Sequence, residues 1–146
     1  MKMIYQYKLP YKLITEFKYL MYDNEIGVIS YQKYITVQLP YVISTLNFNS
    51  SSRQALMTIN NPGHMSCLIS IQFQINKGIL YVTFNLRSQA VEYRKYDEVL
   101  FNYIVSEVLK KIKVDVLSID ILVNVGNYHS INDYNYHKTK MNLMNE

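Results

Sequence analysis

The chain has 146 residues, of which 49% are hydrophobic and 18% are charged, and its formal net charge is +4. This composition is too apolar for a disordered chain, and no apolar run reaches the roughly 18 residues of a membrane-spanning helix. A lysine near the N-terminus is not followed by a long apolar run, so no signal peptide is predicted. The single cysteine, Cys67, excludes an internal disulfide framework. We therefore expect one intracellular domain over residues 1–146 that has no membrane partner.

The basic residues and the tyrosines allow more than one interpretation. Only three basic residues are arginines, namely Arg53, Arg87 and Arg94, and each is a candidate for a bidentate contact with an anion. Fifteen tyrosines beside the lysines are compatible with base stacking on single-stranded nucleic acid. Solubility and a biased genome composition explain the same counts. No arginine-rich or glycine-rich segment supports nucleic-acid binding, which we rank third among the functions considered.

Two helices are predicted in the first third of the chain. The first covers about residues 11–21, where apolar side chains recur at helical spacing, and Gly27 marks its end. The second covers about residues 37–46, with Thr36 as its cap. Pro40 is tolerated in that helix only because it falls near the first turn.

The middle of the chain predicts a β-hairpin. Over residues 67–75 the odd-numbered side chains share one face, and the even-numbered ones share the other. Residues 76–78 form a turn signal, and a second strand follows over residues 79–87. Because the strands are antiparallel, we expect Arg87 to lie near Cys67.

A helix and a strand are predicted after the hairpin. The helix covers residues 97–113, with Asp97 as its N-cap and an apolar stripe of Leu100, Ile104, Val108 and Ile112. The strand covers residues 116–125, and its nearly continuous apolar sequence predicts burial on both faces. Residues 127–146 are polar, and we expect them to be partly irregular. Helices that alternate with long strands predict an α+β domain.

Three polar positions at the strand ends are candidates for chemistry. Cys67 opens one strand, Arg87-Ser88 closes its neighbour, and His129 follows the last strand. A cysteine is a strong nucleophile when a nearby cation lowers its pKa, and an arginine beside a hydroxyl binds phosphate well. A small core residue, a solvated turn and a structural histidine explain the same positions, and spacing alone leaves both interpretations open.

Several short motifs follow one another in a fixed order. They are Ser52-Arg53 before a strand that reaches Asn60-Asn61-Pro62, Cys67 followed after four residues by Gln72-Phe73, Arg87-Ser88 twenty residues after the cysteine, and Gly126-x-x-His129. In this order and register they resemble thymidylate synthase and its relatives, the deoxypyrimidine hydroxymethylases. The resemblance covers residues 36–129 well and residues 15–24, around Glu16, weakly.

The resemblance implies a fold and an activity. The fold is a thymidylate-synthase-like α+β domain, in which a mixed sheet packs with helices, and it forms a homodimer. The activity is transfer of a one-carbon unit to carbon 5 of a deoxypyrimidine monophosphate, with 5,10-methylenetetrahydrofolate as the donor. Cys67 is then the nucleophile that adds to carbon 6. Glu16 is then the carboxylate that organises water for proton transfer, and no metal is required.

The resemblance also assigns the binding residues. Arg87 and Ser88 hold the 5′-phosphate, and Arg53 reaches the phosphate bound by the partner subunit. Gln72 supports the nucleotide site from its strand. His129 lies near the sugar hydroxyl.

Departures from the family pattern leave alternatives open. Gln54 replaces the second arginine of a pair, Ala90 replaces an aspartate, and Ile131 replaces a tyrosine that binds the sugar. The asparagine that reads the pyrimidine aligns with Glu98, whose acidic group favours the amino group of cytosine, or with Asn102 after a four-residue insertion. The family's C-terminal part has no counterpart in this sequence. A protein that binds nucleotide without chemistry and a scaffold therefore remain alternatives to the enzyme.

Overall fold

The computed structural model describes residues 1–10, 25–59 and 67–131. It contains a five-stranded sheet in the order β1-β5-β4-β3-β2. The elements are β1 (Met3–Pro10), α1 (Glu25–Phe48), β2 (Leu56–Thr58), β3 (Leu68–Asn76), β4 (Ile79–Ala90), a 3₁₀ turn (Val91–Tyr93), α2 (Arg94–Leu109) and β5 (Ser118–His129). Strands β4 and β5 are parallel and the other neighbours are antiparallel. The sheet is mixed and the class is α+β, which confirms the prediction.

The helix predicted over residues 11–21 lies outside the described residues, as does Glu16. No helix within residues 25–59 and 67–131 is both long and apolar enough to cross a membrane.

The core lies between one face of the sheet and the two helices. Alternate residues of β3, β4 and β5 are buried on that face, and Phe84 of β4 stacks on Phe101 of α2 with 4.1 Å between ring centroids. Burying an aromatic or branched side chain of this kind stabilises the fold by about 1.5–3 kcal/mol. The opposite face of the sheet, which we call the open face, carries half-exposed polar side chains such as Ser70, Asn85 and Asn124.

Helix α1 is much longer than predicted. It begins at Glu25, passes through Gly27, and places Thr36 and Pro40 in its interior, so Gly27 does not end a helix and Thr36 is not a helix cap. Four residues of α1 are buried at helical spacing, namely Ile35, Leu39, Val42 and Leu46. Pro40 and Thr36 are both exposed, so water can reach the Thr36 carbonyl that lacks a proline N–H partner. Burial of the apolar stripe therefore outweighs the helix-breaking tendencies of Gly27 and Pro40.

Gln38 of α1 fastens the edge strand β2. Its side-chain amide donates to the Thr58 carbonyl at 2.7 Å, and its side-chain oxygen accepts from the Thr58 N–H at 2.8 Å. Both backbone groups would otherwise be unpaired at the sheet edge. The side chain of Gln38 thus completes the ladder on the outer side of β2.

A β-bulge changes the faces predicted for the start of β3. The register shifts between Leu68 and Ser70, so Leu68 is buried while Ile69 is 47% exposed. Without this shift, the register of the rest of the hairpin would place Cys67 opposite Ser88. With the shift, Cys67 lies opposite Arg87.

The other strands and α2 also depart from the predicted bounds. Strand β1 was not predicted, although it pairs with β5 along its whole length. Strand β5 is buried on one face only, because Asp120 and Asn124 lie half-exposed on the open face. Helix α2 begins at Arg94 and ends at Leu109, so Asp97 lies within its first turn and is not the N-cap.

The hairpin turn offers a test of local geometry. Lys77 has a φ of 52° and Gly78 has a φ of 77°, which are the left-handed conformations of a type I′ turn. Asparagine tolerates this conformation better than lysine does. We expect Lys77→Asn to raise the free energy of unfolding by about 0.5 kcal/mol, measured by urea denaturation. Lys77→Ala removes the same charge without favouring the turn and should give no gain.

Candidate functional site

Cys67 and Arg87 face each other where β3 begins and β4 approaches its end. The Arg87 N–H donates to the Cys67 carbonyl at 2.7 Å, and the Arg87 Nη2 lies 4.0 Å from the Cys67 Sγ. The predicted proximity of the two residues is confirmed. Cys67 is only partly buried, so a ligand can reach the thiol.

Gly126 allows β5 to pass close to Arg87. A Cβ atom on Gly126 would lie 2.8 Å from the Arg87 carbonyl oxygen, closer than real Cβ contacts come. The two parallel strands continue together beyond this point, and Ala90 pairs with His129. The glycine of the Gly-x-x-His motif therefore has a steric reason to be there, because it keeps the ends of β4 and β5 together.

The Ser88 and His129 side chains meet at these strand ends. The Nδ1 atom of His129 lies 3.4 Å from the Ser88 Oγ and 3.3 Å from the Asn127 carbonyl oxygen. A carbonyl oxygen can only accept, whereas the Ser88 hydroxyl can donate to the ring or accept from it, so the direction of these contacts depends on the tautomer of His129. Ser88 is 8% exposed, and its hydroxyl is thus held in a fixed position beside the ring.

A buried chain of hydrogen bonds runs from β1 through β4 to α2. The Tyr5 hydroxyl donates to the Gln89 Oε1 at 3.0 Å, and the Gln89 Nε2 donates to the Asp97 Oδ2 at 2.9 Å. Gln89 is 2% exposed. This chain of hydrogen bonds is not predicted from the sequence. The available signal was a pair of polar residues, Ser88 and Gln89, at the end of an apolar strand.

The Asp97 carboxyl in the first turn of α2 is a perturbed acid. Burial raises the pKa of Asp97 from its ordinary value of 3.8 to about 6, against the opposing effect of the hydrogen bond from Gln89. Buried carboxyls with such shifts are frequent at functional sites. Burial raises the pKa of the Cys67 thiol most, and the charge of Asp97 raises it further against the opposing charge of Arg87.

The raised pKa of Asp97 predicts a specific pH dependence. Because the folded pKa exceeds the unfolded one, the folded chain retains a proton that the unfolded chain loses between about pH 4 and pH 6, so stability falls across that window. Asp97→Asn removes this cost, and we expect a gain on the order of 2 kcal/mol above pH 6 and little change near pH 4. Urea denaturation at pH 4, 5, 6 and 8 measures it.

Glu92→Gln is the control, because the hydrogen bond from Ser130 lowers the pKa of Glu92 and its contribution has the opposite sign. The stabilisation that ionised Glu92 gives the fold is present at neutral pH and is lost as the pH falls. We therefore expect Glu92→Gln to destabilise the chain at pH 8 and not at low pH. Equal stability of Asp97→Asn and the unaltered chain at pH 8 would contradict the assignment.

Cys67 is a protonated thiol at rest. Burial raises the pKa of Cys67, and the charge of Arg87 opposes this without cancelling it. The thiol is therefore not activated as a resting thiolate, and its addition to a substrate requires a proton acceptor.

The two residues proposed to read the base are both engaged within the chain. The Glu98 carboxylate accepts from the Arg94 Nε at 3.1 Å, and the Asn102 Oδ1 lies 3.5 Å from the Tyr7 hydroxyl. The Arg94 guanidinium also stacks on the ring of Tyr5, 3.6 Å from its centroid. Asp97, one position before Glu98, is the carboxyl of α2 that contributes to the raised pKa of the Cys67 thiol.

Arg53 and Gln72 lie apart from Cys67 in the single chain. The Gln72 Nε2 donates to the Arg53 carbonyl at 3.3 Å, and Gln72 is five residues from Cys67, about 16 Å along a strand. The Arg53 side chain is exposed beside a surface cavity of about 600 Å³ at the end of α1. The contact of Arg53 with the phosphate of a partner subunit, which the resemblance implies, stays a prediction.

No protein-family model and no curated protein sequence matches the chain. The crystal structure of thymidylate synthase from T4 phage matches this chain with a TM-score of 0.56 at 20% sequence identity. The match covers 70% of this chain and 38% of that enzyme, so the chain spans well under half of its length. The predicted fold is confirmed.

Proposed function

We propose that this protein binds a deoxypyrimidine monophosphate beside Cys67 and Arg87 and transfers a one-carbon unit to carbon 5 of the base. The observation that carries the proposal is the 4.0 Å contact between the thiol and the guanidinium at the end of a thymidylate-synthase-like sheet. Ser88 and His129 complete the polar surface from the neighbouring strand end.

Arg87 is suited to bind the phosphate. Its side chain is exposed, and within residues 1–10, 25–59 and 67–131 it forms no ion pair with a carboxylate. A guanidinium can donate two parallel hydrogen bonds to a phosphate, and a nearby hydroxyl can donate a third. The bound phosphate also offsets the positive charge of Arg87 beside the Cys67 thiol.

The proposed chemistry begins with the thiol. The Cys67 S–H bond breaks as its proton passes to a base, and the sulfur forms a bond to carbon 6 of the pyrimidine. The carbon 5–carbon 6 double bond opens, and its electron pair makes carbon 5 the nucleophile that takes the one-carbon unit as the bond between that unit and its donor breaks. Loss of the carbon 5 proton and elimination of the Cys67 sulfur from carbon 6 then restore the double bond and the free thiol. For recognition of the pyrimidine ring we add Asp97 to the Glu98 and Asn102 alternatives, because its carboxylate can accept from the amino group of cytosine.

A folate donor enters the proposal through the resemblance alone. The polar side chains where β1, the end of β4 and α2 meet bind one another, with Gln89 between Tyr5 and Asp97 and with Glu98 on Arg94. They do not form a second set of donors and acceptors for a pterin ring. These residues therefore do not fit 5,10-methylenetetrahydrofolate, and covalent trapping with and without the folate measures its effect.

The open face of the sheet supports the proposed homodimer. A row of hydrogen bonds joins Asn124 to Asn85 at 3.0 Å and Asn85 to Ser70 at 3.0 Å across three strands. The row holds these polar side chains in fixed positions on the face that also carries the half-exposed Leu122. We expect a dimer in sedimentation velocity and a monomer after Leu122→Lys. A monomer for the unaltered chain would refute the dimer.

Binding without chemistry is the second candidate, and one observation favours it. Burial and the Asp97 charge hold the Cys67 thiol in its unreactive protonated form. In this case, nucleotide affinity survives Cys67→Ala and is lost with Arg87→Ala.

Covalent trapping separates the two candidates. The protein is incubated with 5-fluorodeoxyuridylate or 5-fluorodeoxycytidylate, with and without 5,10-methylenetetrahydrofolate, and its intact mass is measured. The transferase predicts an adduct with the mass of the nucleotide, or of nucleotide plus folate, that is absent in Cys67→Ala. Nucleotide binding without any adduct would contradict the transferase and support the binding protein.

A further inference from the structure

The chain that follows β5 is fastened to Glu92, which lies in the 3₁₀ turn just after β4. The Glu92 Oε1 accepts from the Ser130 Oγ at 2.6 Å, and its Oε2 accepts from the Ile131 N–H at 3.1 Å. One carboxylate thus joins the segments that leave the two central strands of the site. Neither the sequence motifs nor the proposed chemistry gives Glu92 a role.

These hydrogen bonds lie directly beyond His129. The sheet ladder ends with the pairing of Ala90 and His129, and strand ends fray unless something restrains them. The Ser130 hydrogen bond and, more weakly, the charge of His129 lower the pKa of Glu92, so this carboxylate is ionised at neutral pH. Hydrogen bonds to an ionised carboxylate are about twice as strong as neutral ones.

We propose that Glu92 is a positioning residue of the nucleotide site, which fixes Ser130 and Ile131 and thereby holds the His129 ring against Ser88. The inference rests on the proposed function, in which His129 contacts the sugar of the bound nucleotide. The effect of Glu92 on binding then passes through His129 and not through a direct contact.

The position of His129 is measured without nucleotide. In proton NMR, the ring Cε1–H resonance of His129 is assigned by its absence in His129→Gln. We expect Glu92→Ala to move this resonance and Glu92→Gln, which keeps one acceptor, to move it less. Glu107→Ala is the matched control: it removes a glutamate carboxylate from α2, where Glu107 binds Lys110, and it should leave the resonance in place. An unmoved resonance in Glu92→Ala would overturn the inference.

A double-mutant cycle tests whether the effect passes through His129. Affinities for deoxyuridylate and deoxycytidylate are measured by calorimetry in the unaltered chain, Glu92→Ala, His129→Gln and the double variant. We expect Glu92→Ala to weaken binding about fivefold in the unaltered chain and not at all in the His129→Gln background. An equal loss in both backgrounds would overturn the positioning role. If the unaltered chain binds neither nucleotide, the proposed function fails, and the NMR result alone decides the role of Glu92.

Discussion

Arg87→Ala should lower the affinity for deoxypyrimidine monophosphates by at least 100-fold, the largest binding effect expected of any single substitution in this chain. Arg87 is the exposed cation beside the Cys67 thiol, and we assign it two parallel hydrogen bonds to the phosphate. Hydrogen bonds to charged groups contribute about 1.5–3 kcal/mol each, so losing the pair accounts for the expected factor. Isothermal titration calorimetry with deoxyuridylate and deoxycytidylate measures it.

Two variants make this result specific. Arg87→Lys keeps the charge but not the planar pair of donors, so we expect an intermediate loss. Lys77→Ala removes one positive charge at the hairpin turn, at the opposite end of β4, and should leave affinity unchanged. Binding by Arg87→Ala as tight as that of the unaltered chain would remove Arg87 from the phosphate site.

Gly126→Ala should produce the largest loss of stability, about 3 kcal/mol in the free energy of unfolding. The added methyl would lie 2.8 Å from the Arg87 carbonyl oxygen, and both groups belong to neighbouring strands in the middle of the sheet. The contact can be relieved only if β4 and β5 separate where Ser88 meets His129. We therefore expect nucleotide binding to weaken as well, even at temperatures where the variant is folded.

Urea denaturation measures the stability of Gly126→Ala, and Asn127→Ala is its control. Asn127 is the next residue of β5 and already has a Cβ, so its replacement introduces no new atom into the sheet. A Gly126→Ala variant as stable as the unaltered chain would show that the strands do not need this close approach.

Local patterns in the sequence predict the hairpin and the proximity of Arg87 to Cys67. The period-two alternation of β4 and the Lys77-Gly78 turn are each encoded within a few residues, and the antiparallel return brings the end of β4 near Cys67. The bulge in β3 then sets the exact pairing of Cys67 with Arg87. The thymidylate-synthase-like fold followed from motif order, because several short motifs keep their register over the region that folds as one sheet.

Tertiary contacts decide the features that the sequence does not predict. The bulge at Ile69 moves Leu68 to the buried face of the sheet, and nothing in the alternation marks where an extra residue is inserted. The length of α1 depends on packing of its apolar stripe, which overrides the local effects of Gly27 and Pro40. Strand β1 depends on β5, its partner more than a hundred residues away.

The acid of the candidate site was missed for a similar reason. Asp97 reads as a helix cap, because aspartate is common at that position. Its partner Gln89 is eight residues away, and the burial that raises the pKa of Asp97 comes from the folded sheet and helix together. Only the structure distinguishes Asp97 from its neighbour Glu98, which forms an ion pair with Arg94.

The central claim is a deoxypyrimidine monophosphate site, and a thermal-shift titration with deoxyuridylate, deoxycytidylate and thymidylate tests it most directly. A nucleotide at 100 times its dissociation constant stabilises the folded chain by about 2.7 kcal/mol, which for this length raises the melting temperature by roughly 8 °C. We predict a shift of this size with at least one of the three nucleotides and its loss in Arg87→Ala. An unchanged melting temperature with all three nucleotides at millimolar concentration would contradict the account.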